Sequence, residues 1–237
     1  MSTAPATSSP ASPAADADHA ERAERILATA RELLLAWGYK RVTVGEIARH
    51  ARIGKGTVYL HWKTKEVLFA ELLRREFLTI TARIAERIEQ DPAIALPDRL
   101  VRELFLQQGR SPLARAIRTG DGDLLGALAM TPAGDPVARE LGHLTLLTDL
   151  VEAWRGSGVL DTGMPAADQI YLIDAVLSGF IAGGIVPADA TPSDERCADL
   201  LALALRGAVM PPNALARGAV DSTAEAVLAV LANAANG

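Results

Sequence analysis

Apolar residues recur at helical spacing through most of the chain, and no stretch alternates with the period of two that a half-buried strand would show. The first run, Ile26, Ala30, Leu33, Leu34 and Trp37, lies on one face of a helix predicted from about His19 to Trp37, with Gly38 placed to end it. Thr43, followed three residues later by Glu46, reads as a capping box. It opens a short helix whose stripe is Ile47, Ala48 and Ala51. Arg52, Ile53 and Gly54 break that stripe, the glycine being expected to make the turn, and a second short helix follows from Lys55 to His61 with Val58 and Trp62 facing inward. Two short helices joined by so tight a turn form a helix-turn-helix, whose second helix can enter the major groove of DNA. Thr64 then caps a long helix carrying Val67, Leu68, Leu72, Leu73, Phe77, Ile80, Ile84 and Ile88.

Beyond Asp91 and Pro92 the pattern continues as helices separated by caps and breakers. Expected segments are Asp98 to Gln108, one opening at Ser111 and Pro112, Asp121 to Met130, and Asp135 to about Trp154. Two further ones run from Pro165 to Ile185 and onward from a Thr191 to Asp194 cap. Pro211 and Pro212 end the last of these, and Ser222 with Glu225 caps a final Ala-Val-Leu segment to about Ala235. The fold class is therefore all-α: an N-terminal three-helix helix-turn-helix domain plus a C-terminal helical domain. Boundaries are expected at 1–18 (a disordered Ala, Ser, Thr and Pro tail), 19–66 (DNA binding), 67–211 (effector binding and dimerisation) and 212–237 (a C-terminal extension with a helix).

Charge sharpens the picture. Between residues 40 and 65, seven basic side chains (Lys40, Arg41, Arg49, Arg52, Lys55, Lys63 and Lys65) face one acid, Glu46, for a local charge of +6. The whole chain is formally −5, so the remainder carries −11. A basic island on an acidic protein is suited to neutralising backbone phosphates. Within it, Lys55 can reach a base edge or phosphate, Gly56 admits close backbone approach, Thr57 and Tyr59 offer hydroxyls, and His61 offers a ring nitrogen. Lys65, in the first turn of the long helix, opposes the helix dipole and so hints at an outside anion.

The block ATARELLLAWGYKRVTVGEIARHA followed by GKGTVYLHWKTKEVLFAELL resembles the tetracycline-repressor (TetR) family of bacterial regulators, over about a fifth of the chain. The resemblance implies a homodimeric, ligand-responsive transcriptional regulator, usually a repressor released from a palindromic operator by a small molecule. It implies DNA contacts from Thr43, Gly54, Lys55, Gly56, Thr57, Tyr59, His61 and Lys65, with the last of these on phosphate. It also places the dimer interface in the two main helices before Pro211. There Ala175, Gly179 and Gly183 recur every four residues, and Ala198, Leu201, Ala202 and Leu205 supply a matching surface. An intramolecular contact would explain the glycines as well.

His143, Leu147, Leu150 and Trp154 share one face, which is either ordinary core or the wall of an effector cavity. The competing function is a helical enzyme or carrier with an incidental basic head, and its machinery is not found. Gly54-Lys55-Gly56 lacks the spacing of a phosphate loop, Asp121-Gly122-Asp123 lacks the other ligands of a calcium loop, and no hydrolase motif or metal-ligand cluster occurs. No cofactor is expected. The single cysteine, Cys197, reads as a packing residue. Neither a secretory signal nor a membrane-spanning run is recognised, so the expected compartment is the cytoplasm.

Overall fold

The computed structural model describes residues 13–114, 143–182, 190–212 and 215–236. Every regular element among them is helical. Contacts divide the chain into two units, residues 1–68 and 69–237.

The first unit holds α1 (Pro13–Trp37), a 3-10 turn (Tyr39–Arg41), α2 (Val44–His50), α3 (Lys55–His61) and the start of α4 (Lys65–Gln90). α1 begins at Pro13, within the stretch read from composition as a disordered tail. Proline suits a first helical position, and the alanines and aspartates that follow favour a helix start. An Asp18–Arg22 pair at 2.7 Å adds support one turn on. Gly38 ends α1 at φ 75° and ψ 160°, a conformation essentially closed to residues with a Cβ. Ile26, Ala30, Leu34, Val42, Ile47, Ala48, Val58 and Trp62 form the small core, which is why the apolar spacing of three such short elements was readable in advance.

In the second unit, α4 continues to Gln90 and is followed by a 3-10 turn (Pro92–Ala95), α5 (Pro97–Arg110), α6 (His143–Gly156), α7 (Ala166–Ala182), α8 (Asp194–Val209) and α9 (Ala219–Asn236). α5 packs most extensively on α8, and α7 lies against both α6 and α8. Buried Asp98 of α5 accepts hydrogen bonds from Arg206 of α8, and buried Glu103 pairs with Arg87 at 3.0 Å and accepts from Gln107 at 2.7 Å. Trp154, fully buried on α6, donates through Nε1 to the Ala95 carbonyl at 2.8 Å and so fixes the 3-10 turn.

Several caps differ from expectation. Ser193, not Thr191, caps α8 by accepting from the Arg196 N–H. α9 starts at Ala219, before Ser222, whose hydroxyl donates instead to the Ala219 carbonyl inside the helix. That C-terminal helix packs on α6 and on the 3-10 turn of its own chain, burying Thr223, Ala224, Val227 and Leu231. Cys197 is half-buried and directs its thiol toward the Pro192 carbonyl. Ser111 caps the next helix by accepting from the Ala114 N–H at 3.0 Å. The segment expected from Asp121 to Met130, the start of the one expected from Asp135, and Gly183 lie outside the described residues.

Candidate nucleic-acid interface

Thr43 has the extended backbone of an N-cap, and its hydroxyl accepts from the Glu46 N–H at 3.2 Å. The capping box is half made, because the Glu46 carboxylate turns to Arg49 and accepts from Nε at 3.1 Å and Nη2 at 2.7 Å. One of the seven basic side chains is thereby neutralised locally.

The turn that follows is a Schellman motif. The Ile53 N–H reaches the Ala48 carbonyl at 3.0 Å and the Arg52 N–H reaches Arg49 at 3.2 Å, which closes the end of α2. The left-handed residue is Arg52, at φ 56°, and not Gly54. Gly54 has φ −71° and serves as the N-cap of α3, a conformation open to any residue. The expectation that Gly54 makes the sharp turn is thus corrected by one motif: the chain reverses two residues earlier.

α3 turns Val58, 1% exposed, into the core, with Trp62 buried just beyond its end. On the opposite side Lys55, Gly56 and Tyr59 are exposed and Thr57 is half-buried. A Cβ built on Gly56 would meet nothing within 4 Å among the described residues, so the space beside it is open. The Lys55 ammonium stands 5.8 Å from the Tyr59 ring centre, a loose contact that leaves both side chains directed outward. Leu60, 76% exposed, is an apolar residue on this surface that its place in the helical period does not explain.

Two expected DNA contacts sit differently. His61 is half-buried and stacks on His19 of α1, ring centres 3.9 Å apart, with Trp62 at 5.3 Å on the same helix end. Burial, then the nearby charges of His19 and Arg22, push its pKa below the ordinary imidazole value. At neutral pH it therefore presents an uncharged ring. Lys65 has a partner inside the protein: its ammonium donates to the Tyr39 carbonyl at 2.6 Å and lies 3.7 Å from the centre of the Tyr39 ring. The positive charge at the start of α4 that seemed to call for an outside anion is thus met by a carbonyl and an aromatic face. Tyr39 is buried and donates its hydroxyl to Glu66 at 3.1 Å. Burial opposes ionisation of Glu66, yet its own backbone N–H, Thr64, Tyr39 and the Lys65 charge together hold the carboxyl below its usual range. Tyr39, Lys65 and Glu66 form a clamp that ties the loop after α1 to the first turn of α4.

The basic side chains of the window for which no ion pair or hydrogen bond is seen among the described residues are Arg41, Arg52, Lys55 and Lys63, all of them exposed. Of these, only Lys55 was singled out from sequence as a contact. The others were visible only as contributions to net charge, because the spacing does not reveal which cations Glu46 and Tyr39 absorb.

In the second unit Leu147, Leu150 and Trp154 are buried in the helical core. The His143 side chain lies outside what is described. Ala198, Leu201 and Leu205 are fully buried within their own chain, and Ala202 is half-buried. These three thus face the core of their own chain, and the outward positions of α8 include Leu203, 67% exposed. On α7, Ala175 and Gly179 do face outward, together with Tyr171 at 75% exposure. A Cβ at Gly179 would meet nothing within 4 Å among the described residues, so packing among them does not call for a glycine there.

Residues 26–72 match the family described as "Bacterial regulatory proteins, tetR family". The HTH-type transcriptional regulator QacR of Staphylococcus aureus is 46% identical over 52 residues, 22% of this chain and 28% of QacR. The uncharacterized HTH-type transcriptional regulator YhgD of Bacillus subtilis is 32% identical over 82 residues, 34% of this chain and 41% of YhgD. The match thus spans well under half the length of either curated relative. The fold as a whole is similar to SmeT, the repressor of the Stenotrophomonas maltophilia multidrug efflux pump SmeDEF, with a TM-score of 0.60 and 19% identity over 83% of this chain and 94% of that one. Among the described residues no helix is long and apolar enough to cross a membrane. Over its N-terminal helices, residues 26–72, the chain is thus similar to the tetR family of bacterial regulatory proteins.

Proposed function

We propose that this chain is a ligand-responsive transcriptional regulator, a repressor that a small molecule releases from a palindromic operator. The observation that carries the proposal is the surface of α3: Lys55, Gly56 and Tyr59 are exposed beside open space, and the flanking cations Arg41 and Lys63, nearby in sequence, are exposed with no ion pair or hydrogen bond among the described residues. Lys55 and Tyr59 serve base edges and the flanking cations serve phosphates, which position the helix in the groove. Thr43 and Thr57 add hydroxyls at the two helix starts, and Gly54 and Gly56 keep the approach clear. His61 supports α3 against α1, and Lys65 supports the loop beneath it, so their part in DNA binding is one of positioning.

A seven-residue recognition helix offers few base contacts. Two copies are needed for useful affinity, with half-sites about one turn of DNA or more apart. The outward face of α7 and α8, with Tyr171, Ala175, Gly179 and Leu203, is the proposed homodimer surface; small residues beside large exposed apolar ones suit close helix packing. The similarity to QacR and SmeT, both named as regulators, supports a regulatory role, and the helical body is the part assigned to effector binding.

Selection of duplexes from a random pool by the full chain, repeated with Lys55→Ala and Tyr59→Ala, tests the proposal. Enrichment of a two-fold symmetric sequence, weakened by either substitution, is the expected outcome. Equal retention of all sequences by all three proteins would refute it.

A further inference from the structure

Arg52 is the non-glycine residue that adopts a positive φ among the described residues, at 56°. It occupies the position after the helix cap in the Schellman motif that ends α2, where glycine is favoured because a Cβ crowds the neighbouring carbonyl. The turn itself gains nothing from an arginine, since both of its hydrogen bonds come from backbone groups, Ile53 to Ala48 and Arg52 to Arg49. Nor does the side chain stabilise the fold through a partner. It is exposed, without an ion pair or hydrogen bond among the described residues, and Glu46, the one acid of the basic window, is already held by Arg49 through two nitrogens. Non-glycine residues held in this region cluster at binding and catalytic sites, where the side chain has a use beyond the fold.

We propose that Arg52 is a DNA-phosphate contact, a guanidinium held at the α2–α3 junction for the duplex although glycine would close that turn with less strain. The inference rests on the DNA-binding reading above and extends it to a residue outside the recognition helix. A guanidinium presents a planar fork that takes two phosphate oxygens at once, which the flexible ammonium of lysine does not. Arg52 lies three residues before Lys55, the first residue of α3, so a phosphate held there would fix how far that helix enters the groove.

The test compares the full chain with Arg52→Gly and Arg52→Lys on two probes: an unselected 30-base-pair duplex and the best duplex from the random pool. Arg52→Gly should raise the thermal midpoint by about 2–4 °C. It should weaken binding to both probes roughly tenfold, uniformly across sequences. The slope of log K against log salt should become shallower by about 0.9 per subunit. Arg52→Lys should keep the slope while binding less tightly than the wild type. Arg52→Gly binding both probes as the wild type does at every salt concentration would overturn the inference and leave the DNA-binding reading standing. A midpoint that does not rise would overturn the claim of strain. Failure of the wild type itself to bind either probe would defeat the function and this inference together.

Discussion

Replacing Lys65 by methionine separates a structural lysine from a DNA-contacting one. Methionine keeps the length and apolar body of the side chain but removes the charge. The structure assigns two interactions to that charge: a hydrogen bond to the Tyr39 carbonyl at 2.6 Å and a position 3.7 Å from the centre of the Tyr39 ring. A hydrogen bond from a charged donor contributes about 1.5–3 kcal/mol, and a cation over an aromatic ring about 0.5–1 kcal/mol where water has access. Because Lys65 is half-buried and part of this is screened, a total near 2 kcal/mol is expected rather than the sum of the upper limits. The loss should fall on the first unit, where Trp37 and Trp62 report unfolding by fluorescence in a guanidinium titration. Lys55→Ala is the internal control: among the described residues its ammonium makes only the distant contact with Tyr59, so its stability should stay within about 0.5 kcal/mol of the wild type. Sequence alone groups these two lysines together as DNA contacts. Equal stability of Lys65→Met and Lys55→Ala would show that the clamp on Tyr39 contributes nothing and refute this reasoning.

Three further outcomes follow from the same structure. His61 has a folded-state pKa below its unfolded value of about 6.5. The unfolded chain therefore binds more protons as pH falls from 6.5 toward that lower value, and stability should decline over this window; His61→Gln should lack that part of the decline in urea titrations at several pH values. Trp154→Phe should cost about 2 kcal/mol by leaving the buried Ala95 carbonyl without its donor, measured as a lower denaturant midpoint; an unchanged midpoint would remove the tie between α6 and the 3-10 turn. Leu203→Glu, at a position 67% exposed in the single chain, should leave helicity intact by circular dichroism yet halve the mass seen by light scattering at micromolar concentration, and retention of the wild-type mass would contradict the proposed dimer face.

What could be read beforehand and what could not divide along physical lines. The helices from α1 to α4 follow from burial at a period of 3.6, so Ile26, Ile47, Val58, Trp62 and Ile84 were placed inward by spacing alone. The Thr43 and Thr64 caps were legible because a hydroxyl three residues before an amide is a local arrangement; they accept from Glu46 and Val67 at 3.2 Å each. Partner choice was not legible. Whether Glu46 turns back to its cap or forward to Arg49, and whether Lys65 points to solvent or across to Tyr39, depends on distances between elements and not on spacing within one. The same limit explains the α8 surface. A helix with Ala198, Leu201, Leu205 and Leu203 has apolar residues on more than one side, and only the packing of α5 against it decides which of them become core.

Salt dependence of binding to a selected duplex tests the central claim most directly. If Arg41, Arg52 and Lys63 of two subunits each meet a phosphate, log K should fall with log salt at a slope near −5, a loss of roughly 10³ in affinity between 50 and 200 mM. A slope near zero, or one no steeper for the selected duplex than for a single strand of the same length, would contradict the account.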